Sequence, residues 1–280
     1  IFNLDDIVIK IIVDSTAYIP KDFIEKNDIA VVPLKVLYMD KEFVEGLPGT
    51  YDEFFASFTQ TKIFPKTSQP SPEDFINAYN KVIDEGNEAI VFTISASLSG
   101  TNSVANLAKA ECKNPDKISV VDSLSTGQNI WGYCMEVIDK AKEGWNREQI
   151  LEYIASLQVN SQICFVPDSL EYLKKGGRIG KVSAVLGSLL QIKPILTFKQ
   201  GTLLCAKKVF GAAKVISELI SMIPKNVKRL FAIHIANTKH FEQLHQKMIE
   251  KFPDTTIYEG ELGPVVASHI GPAIGVCYIC

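Results

Sequence analysis

The sequence predicts an α/β protein made of two α/β domains, the first with a mainly parallel sheet and with the ligand between the domains. Three observations carry this expectation. Through the first half, β-branched and apolar runs alternate with helix-compatible segments, the pattern of parallel strands joined by helices. Of the 280 residues, 46% are hydrophobic and 22% charged, which is ordinary for a globular chain with a sizeable core. The pattern changes near Asn160, so the domains are drawn at residues 1–160 and 161–280, and the cleft between them is the expected ligand site.

The elements follow in order. Residues 7–13 are a β-branched strand ending at Asp14-Ser15-Thr16, and residues 20–27 have helix-compatible spacing after a turn. Residues 30–38 read as a strand, and residues 51–60 as a helix with Phe54, Phe55 and Phe58 on its inner face. The loop Thr67-Ser68-Gln69-Pro70-Ser71-Pro72 opens a helix from about Glu73 to Asp84, because Pro72 suits a first turn and Phe75, Tyr79 and Val82 recur at helical spacing. Residues 89–94 form a buried strand, followed by the loop Ser95 to Thr101, a helix through Ala110 and a strand at 118–121. The second half reads as strand 163–166, helix 169–175, the segment Gly176-Gly177-Arg178-Ile179-Gly180 and an apolar helix at 182–190. Strands at 195–198 and 203–209, a helix at 212–222, a strand at 230–235, a helix at 240–251 and a last strand complete it.

Charge and cysteine usage exclude several classes. Lys and Arg number 29 against 32 Asp and Glu, giving −3 with no basic block, so nucleic acid is not an expected partner. The six cysteines have no scaffold spacing, which predicts a reducing, cytoplasmic setting. Cys277 and Cys280 lack a second ligand pair, so no metal is expected. Asp5 and Asp6 interrupt the apolar amino end, unlike a signal peptide, and residues 1–7 read as an extension or loose terminus. Residues 262–280 carry no Asp, Glu, Lys or Arg, but Pro264, Pro272 and three glycines argue against a spanning helix and for buried turns and strand.

Four segments can carry chemistry. Ser95 to Thr101 joins a buried strand to a helix start, where unpaired N–H groups hold anions; Ser99 is the best placed hydroxyl and Gly100 permits close approach. Ser99 equally suits a simple helix cap. Thr67 and Ser68 offer two more neutral donors in a loop that Pro70 and Pro72 would also explain structurally. The glycines at 176, 177 and 180 place Arg178 beside a helix end, either as an anion or partner contact or as part of a helix stop. Only three residues separate Gly176 from Gly180 and Val182 follows Lys181, so this is not an ATP-binding loop. His269 lies in an uncharged turn and is either functional or a satisfied buried histidine. The chain has no Gly-x-Ser-x-Gly elbow, no His-x-x-x-His pair and no dinucleotide fingerprint, so no cofactor is expected.

Taken together, Asp14-Ser15-Thr16-Ala17, Thr67-Ser68-Gln69-Pro70, Leu98-Ser99-Gly100-Thr101, Asp122-Ser123, Gly176-Gly177-Arg178 and His269-Ile270-Gly271-Pro272 resemble the DegV family, the fatty-acid-binding FakB-type proteins. The resemblance implies a two-domain carrier, not an enzyme, that holds a long-chain fatty acid such as palmitate or oleate. Thr67 and Ser99 would hold the carboxylate, the carboxyl-terminal domain would cover the tail, and His269 and Arg178 would support the polar end. It also implies a separate ATP-dependent fatty acid kinase as partner, with peripheral membrane contact a route for lipid exchange. Phe210 stands where the family often has Arg, and Ala273 where it often has Gly. A carrier for storage or transport without kinase coupling is therefore an alternative. A Ser-dependent lipid hydrolase or acyl-transferase using Ser99 and His269 is the rival from another class, and a sugar- or phosphate-binding module is a third.

Overall fold

Pairing of strands organises the chain into three sheets in the computed structural model, which describes residues 8–61, 63–183, 192–236 and 238–280. The first sheet is all parallel: β1 (Ile9–Asp14), β2 (Ala30–Val32), β6 (Glu88–Thr93) and β7 (Ile118–Asp122), in the spatial order β2-β1-β6-β7. A small antiparallel sheet has β3 (Lys35–Tyr38) between β4 (Lys41–Val44) and β5 (Lys66–Ser68). The third sheet uses β8 (Gln162–Pro167), β9 (Ile192–Lys199), β10 (Thr202–Phe210), β11 (Arg229–Ile235), β12 (Ile257–Glu261) and β13 (Ala273–Ile279) in the order β10-β9-β8-β13-β11-β12. Only its β11–β12 pair is parallel.

Helices cover both outer faces. On the parallel sheet, α3 (Pro72–Asp84) and α4 (Thr101–Glu111) follow α1 (Lys21–Asn27) and α2 (Asp52–Phe58) in sequence and pack Phe75, Tyr79, Val104 and Ala108 against Ile12 and Val91. Ser71 and Asp74 form a reciprocal cap at the start of α3, with Pro72 in the first turn where its missing N–H costs nothing. On the six-stranded sheet, α8 (Val215–Ser221) and α9 (Thr238–Lys251) pack Leu219, Leu244 and Met248 against Ile195, Leu230 and Val276. Between the inner faces of the two large sheets lies α5 (Gln128–Lys142), whose Tyr133 ring sits 6.0 Å from Phe92 on one side and whose Trp131 ring sits 5.2 Å from Phe231 on the other. One continuous apolar core therefore joins both sheets. The remaining helices are α6 (Arg147–Asn160), α7 (Glu171–Lys175) and α10 (Pro264–Ile270).

Three differences from the sequence expectation stand out. The single strand over 30–38 is split into β2 and β3 around Pro33, which has no N–H to give a ladder. Helices α5 and α6 are left unassigned by the sequence expectation; in α5 every residue from Gln128 to Val137 is buried, the polar Gln128, Asn129 and Glu136 included. The segment after Leu262 is not turns and strand alone: Pro264 starts α10 instead of breaking it, and His269 lies on that helix, not in a turn. The absence of charge there reflects β13, all seven of whose residues are buried in the middle of the sheet. Of the apolar helix expected at 182–190, Val182 is buried in the core, and residues 184–190, like residues 1–7, lie outside the described residues.

Gly275 of β13 is where β8 comes closest. A methyl group there would lie 2.5 Å from the Cys164 carbonyl oxygen and 2.8 Å from Phe165 Cβ. Gly275→Ala is expected to lower the unfolding free energy by about 1–3 kcal/mol, seen as a lower urea midpoint at unchanged m-value.

Candidate functional site

In the parallel sheet, β2 pairs on one side of β1 and β6 on the other, so the carboxyl ends of β1 and β6 flank the point where strand order reverses. Open α/β sheets bind ligands at such a point. The segment after β6, residues 94–100, is built there by backbone N–H groups that find fixed acceptors. Asp14, at the end of β1, accepts from Ile94 N at 2.6 Å, and Asp122, at the end of β7, accepts from Ala96 N at 3.2 Å and Leu124 N at 2.9 Å. Ser95 N donates to the Ser125 carbonyl at 2.8 Å. The loop is thereby pinned before it delivers Ser99 to the start of α4.

A second buried carboxylate fixes the opposite wall. Glu45, just after β4, accepts from Ser15 Oγ at 2.6 Å, Tyr18 Oη at 3.1 Å and Val265 N at 2.7 Å, while Tyr18 Oη also accepts from Val266 N at 3.1 Å. Two of the orphan N–H groups at the start of α10 are satisfied in this way by side chains remote in sequence. His269, near the end of α10, then meets Thr67 of β5: Nε2 and Oγ1 share a hydrogen bond of 2.8 Å. Gly176 lets the chain pass close by, since a Cβ there would lie 2.5 Å from His269 Nδ1.

Burial above all, with Arg178 nearby, pushes His269 down to about 4, so its imidazole is neutral at physiological pH. Its Nδ1 has no hydrogen-bond partner among the described residues. Arg178 is exposed at the mouth, with Nε donating to the Leu98 carbonyl at 3.2 Å and Nη1 to the Gly176 carbonyl at 2.6 Å. It ties the Ser99 loop to the glycine segment.

These groups surround one cavity of about 530 Å³ of atom-free space, mouth included. Its polar end carries Thr67, Ser99, Thr126, Arg178 and His269, and the rest is apolar, including Leu34, Leu98, Leu173, Phe198, Leu203 and Val266. A deeper, narrow apolar space adjoins it through the shared residues Thr126, Phe198 and Ile270, and is walled by Phe165, Ile233, Leu262 and Ile274 with His234. An apolar body with a few convergent polar groups is the usual form of a small-molecule site.

Of the residues singled out from sequence, Thr67, Ser99, Arg178 and His269 line this cavity. Gly100 precedes α4 and lies against the Gln69 side chain, joining the Ser99 loop to the segment after β5. Ser68 is exposed on β5 beyond the lining, and Ser95 is fully buried, with its hydroxyl on the Gly201 carbonyl at 3.2 Å. Ser99 Oγ is 2.9 Å from Thr101 Oγ1 and accepts from Thr101 N at 3.3 Å, while His269 pairs with Thr67, so Ser99 and His269 do not form a nucleophile–base pair. Thr126 was not singled out, although its buried Oγ1 faces the cavity with no partner among the described residues. The signal was its place four residues beyond Asp122, after a parallel strand beside β6. No group of three or more His, Cys, Asp or Glu able to hold a metal occurs among the described residues, and none of their helices is long and apolar enough to cross a membrane.

Fold and site define a class: a mixed α/β protein with an apolar cavity between the loops at the carboxyl edge of its parallel sheet and its six-stranded sheet, headed by hydroxyls and a neutral imidazole. The chain belongs to the DegV family, whose model it matches over residues 8–280. A DegV domain-containing protein of Clostridium perfringens is 31% identical over 279 residues, covering 96% of this chain and 98% of that protein. A solved structure described as fatty acid binding of a DegV family protein from Thermus thermophilus superposes with a TM-score of 0.88 at 29% identity, covering 98% of this chain and 100% of that one. A stearic-acid-binding protein from Eubacterium ventriosum gives 0.88 at 25% identity, covering 97% and 98% of the two chains.

Burial raises Glu45 from 4.5 to about 7 and Asp14 from 3.8 to about 6, against the hydrogen bonds each accepts. The folded chain thus holds these protons more tightly than the unfolded one. Their charge destabilises fully above the folded value, and the penalty is relieved as pH falls toward the unfolded value. Between about pH 7 and 4.5 the thermal midpoint of the wild type is expected to gain on that of Glu45→Gln, which lacks this titration. Parallel Tm–pH curves for the two proteins would exclude Glu45 as the titrating group.

Proposed function

We propose that this protein binds a long-chain fatty acid, such as palmitate or oleate, with the carboxylate at Thr67 and Ser99 and the tail in the apolar cavity. The observation that carries this is the cavity itself, apolar along its body and lined at one end by hydroxyls beside a neutral histidine. An anion there needs hydrogen-bond donors in place of water. With its proton on Nε2, His269 donates to Thr67, whose own hydroxyl proton then turns to the ligand. Thr126 offers a third hydroxyl, and Arg178 adds charge at the mouth. Along the tail, each buried CH₂ contributes about 0.8 kcal/mol, less the cost of ordering the chain. The fatty-acid-binding relatives support the ligand class. The division at residue 160 gives the first domain the carboxylate loops and the second the cover of the tail.

A carrier role is favoured over a hydrolase because Ser99 has no base within hydrogen-bond reach among the described residues, its partner being Thr101. We further assign the carrier a cytoplasmic place, with presentation of the bound acid to a fatty acid kinase as its use. Phe210, 66% exposed at the end of β10, is the position that weakens this coupling. A kinase that phosphorylates acid bound to Phe210→Arg faster than acid bound to wild type would support that role for Phe210, and equal rates would remove it.

Native mass spectrometry of freshly purified protein, followed by denaturing extraction, is expected to find a stoichiometric long-chain fatty acid. A protein that is empty and also takes up neither palmitate nor oleate would overturn the proposal. The folded double variant Thr67→Val/Ser99→Ala is expected to bind at least roughly tenfold more weakly, measured by titration calorimetry. Unchanged affinity would exclude these hydroxyls as the carboxylate ligands.

A further inference from the structure

We infer that Phe198, backed by Ile163, is the end wall that limits acyl-chain length, closing the tail space off from a polar pocket beyond it. The inference rests on the fatty-acid reading above and adds the residue that sets its specificity. Phe198 lines three separate spaces: the hydroxyl-headed cavity, the deeper apolar space and a third, polar pocket. Phe198 and Ile163 are the two residues that the deeper space shares with the polar pocket. That pocket is lined by Ser125, Asn129, Gln158, Ser161, Gln162 and Lys199.

A core aromatic is ordinarily enclosed by packed side chains, because interiors leave few voids. Phe198 is only 8% exposed yet lines all three spaces. Its backbone pairs with Leu203 of β10, the preceding Leu196 and Thr197 pair with β8, and its ring leans on Phe165 at 6.2 Å between centroids. The ring therefore stands as a partition on a rigid strand. On the tail side the surfaces suit a terminal methyl group. On the far side they suit water, so a chain long enough to pass the partition would have to displace the ring.

The test compares wild type with Phe198→Leu and Phe198→Ala, each loaded with an equimolar series of saturated fatty acids of increasing even carbon number. Native mass spectrometry reads the length profile. Two added methylenes that find room are worth roughly tenfold in affinity. Acids two and four carbons beyond the wild-type limit are therefore expected to rise at least tenfold relative to the wild-type favourite in Phe198→Ala, and by less in Phe198→Leu. Refilling the far pocket with Ala155→Trp, on an exposed position of α6, is expected to return Phe198→Ala toward the wild-type profile. Should Phe198→Ala fail to fold, Phe198→Leu decides alone. A folded Phe198→Leu with the wild-type profile, or with no binding, while wild type loads normally, overturns the end wall and leaves fatty-acid binding standing. Wild type that takes up no acid overturns both.

Discussion

A carboxylate taken out of water must be given donors, and this fold is arranged around two such carboxylates. Asp14 takes its donors from Thr16 and from Ile94, joining the end of β1 to the end of β6. Glu45 takes its donors from Ser15, Tyr18 and the first turn of α10, joining the small sheet, the parallel sheet and the carboxyl-terminal half. Each carboxylate satisfies backbone N–H groups that would otherwise be orphaned in the interior. The position of Ser99 follows from the first network, and that of His269 from the second.

The cavity that results separates its tasks by polarity. Its inner polar end is neutral, with hydroxyls and an imidazole that burial keeps uncharged, and its cation stays outside on Arg178. A buried counter-charge would bind an anion tightly but would carry a heavy desolvation cost whenever the site was empty. Neutral donors avoid that cost whether or not an anion is present.

Much of this was legible in the chain, and the exceptions share a cause. Ser99 and Arg178 sit in loops whose turn residues and flanking strands are local signals, and the alternating pattern marks the parallel sheet; Thr67, expected in a loop, lies instead on β5, paired with Val36 of β3. Glu45 has no such signal: it follows an exposed hairpin strand and is buried only through contact with Val265, 220 residues away. Asp14 looks like a turn residue because its loop partner Ile94 lies 80 residues on. Helix α5 is enclosed on both sides, which buries Gln128, Asn129 and Glu136 where polar residues read as exposed, and α10 is missed because its proline reads as a breaker when it serves as a start. Local pattern reports local structure, whereas these features are made by partners distant in sequence.

The place of β13 has a consequence for how the chain comes together. It fills the middle of the six-stranded sheet, between β8 and β11, and Tyr278 reaches Gln162 across 116 residues of sequence. Until β13 is synthesised, β8 and β11 lack the neighbour that joins them, and the cavity wall supplied by Ala273 and Ile274 does not exist. Pairing over such separations is slow because loop closure precedes any reward. A nascent chain therefore passes through an interval with two unpaired strand edges and an open apolar face, the surfaces that chaperones shield from aggregation.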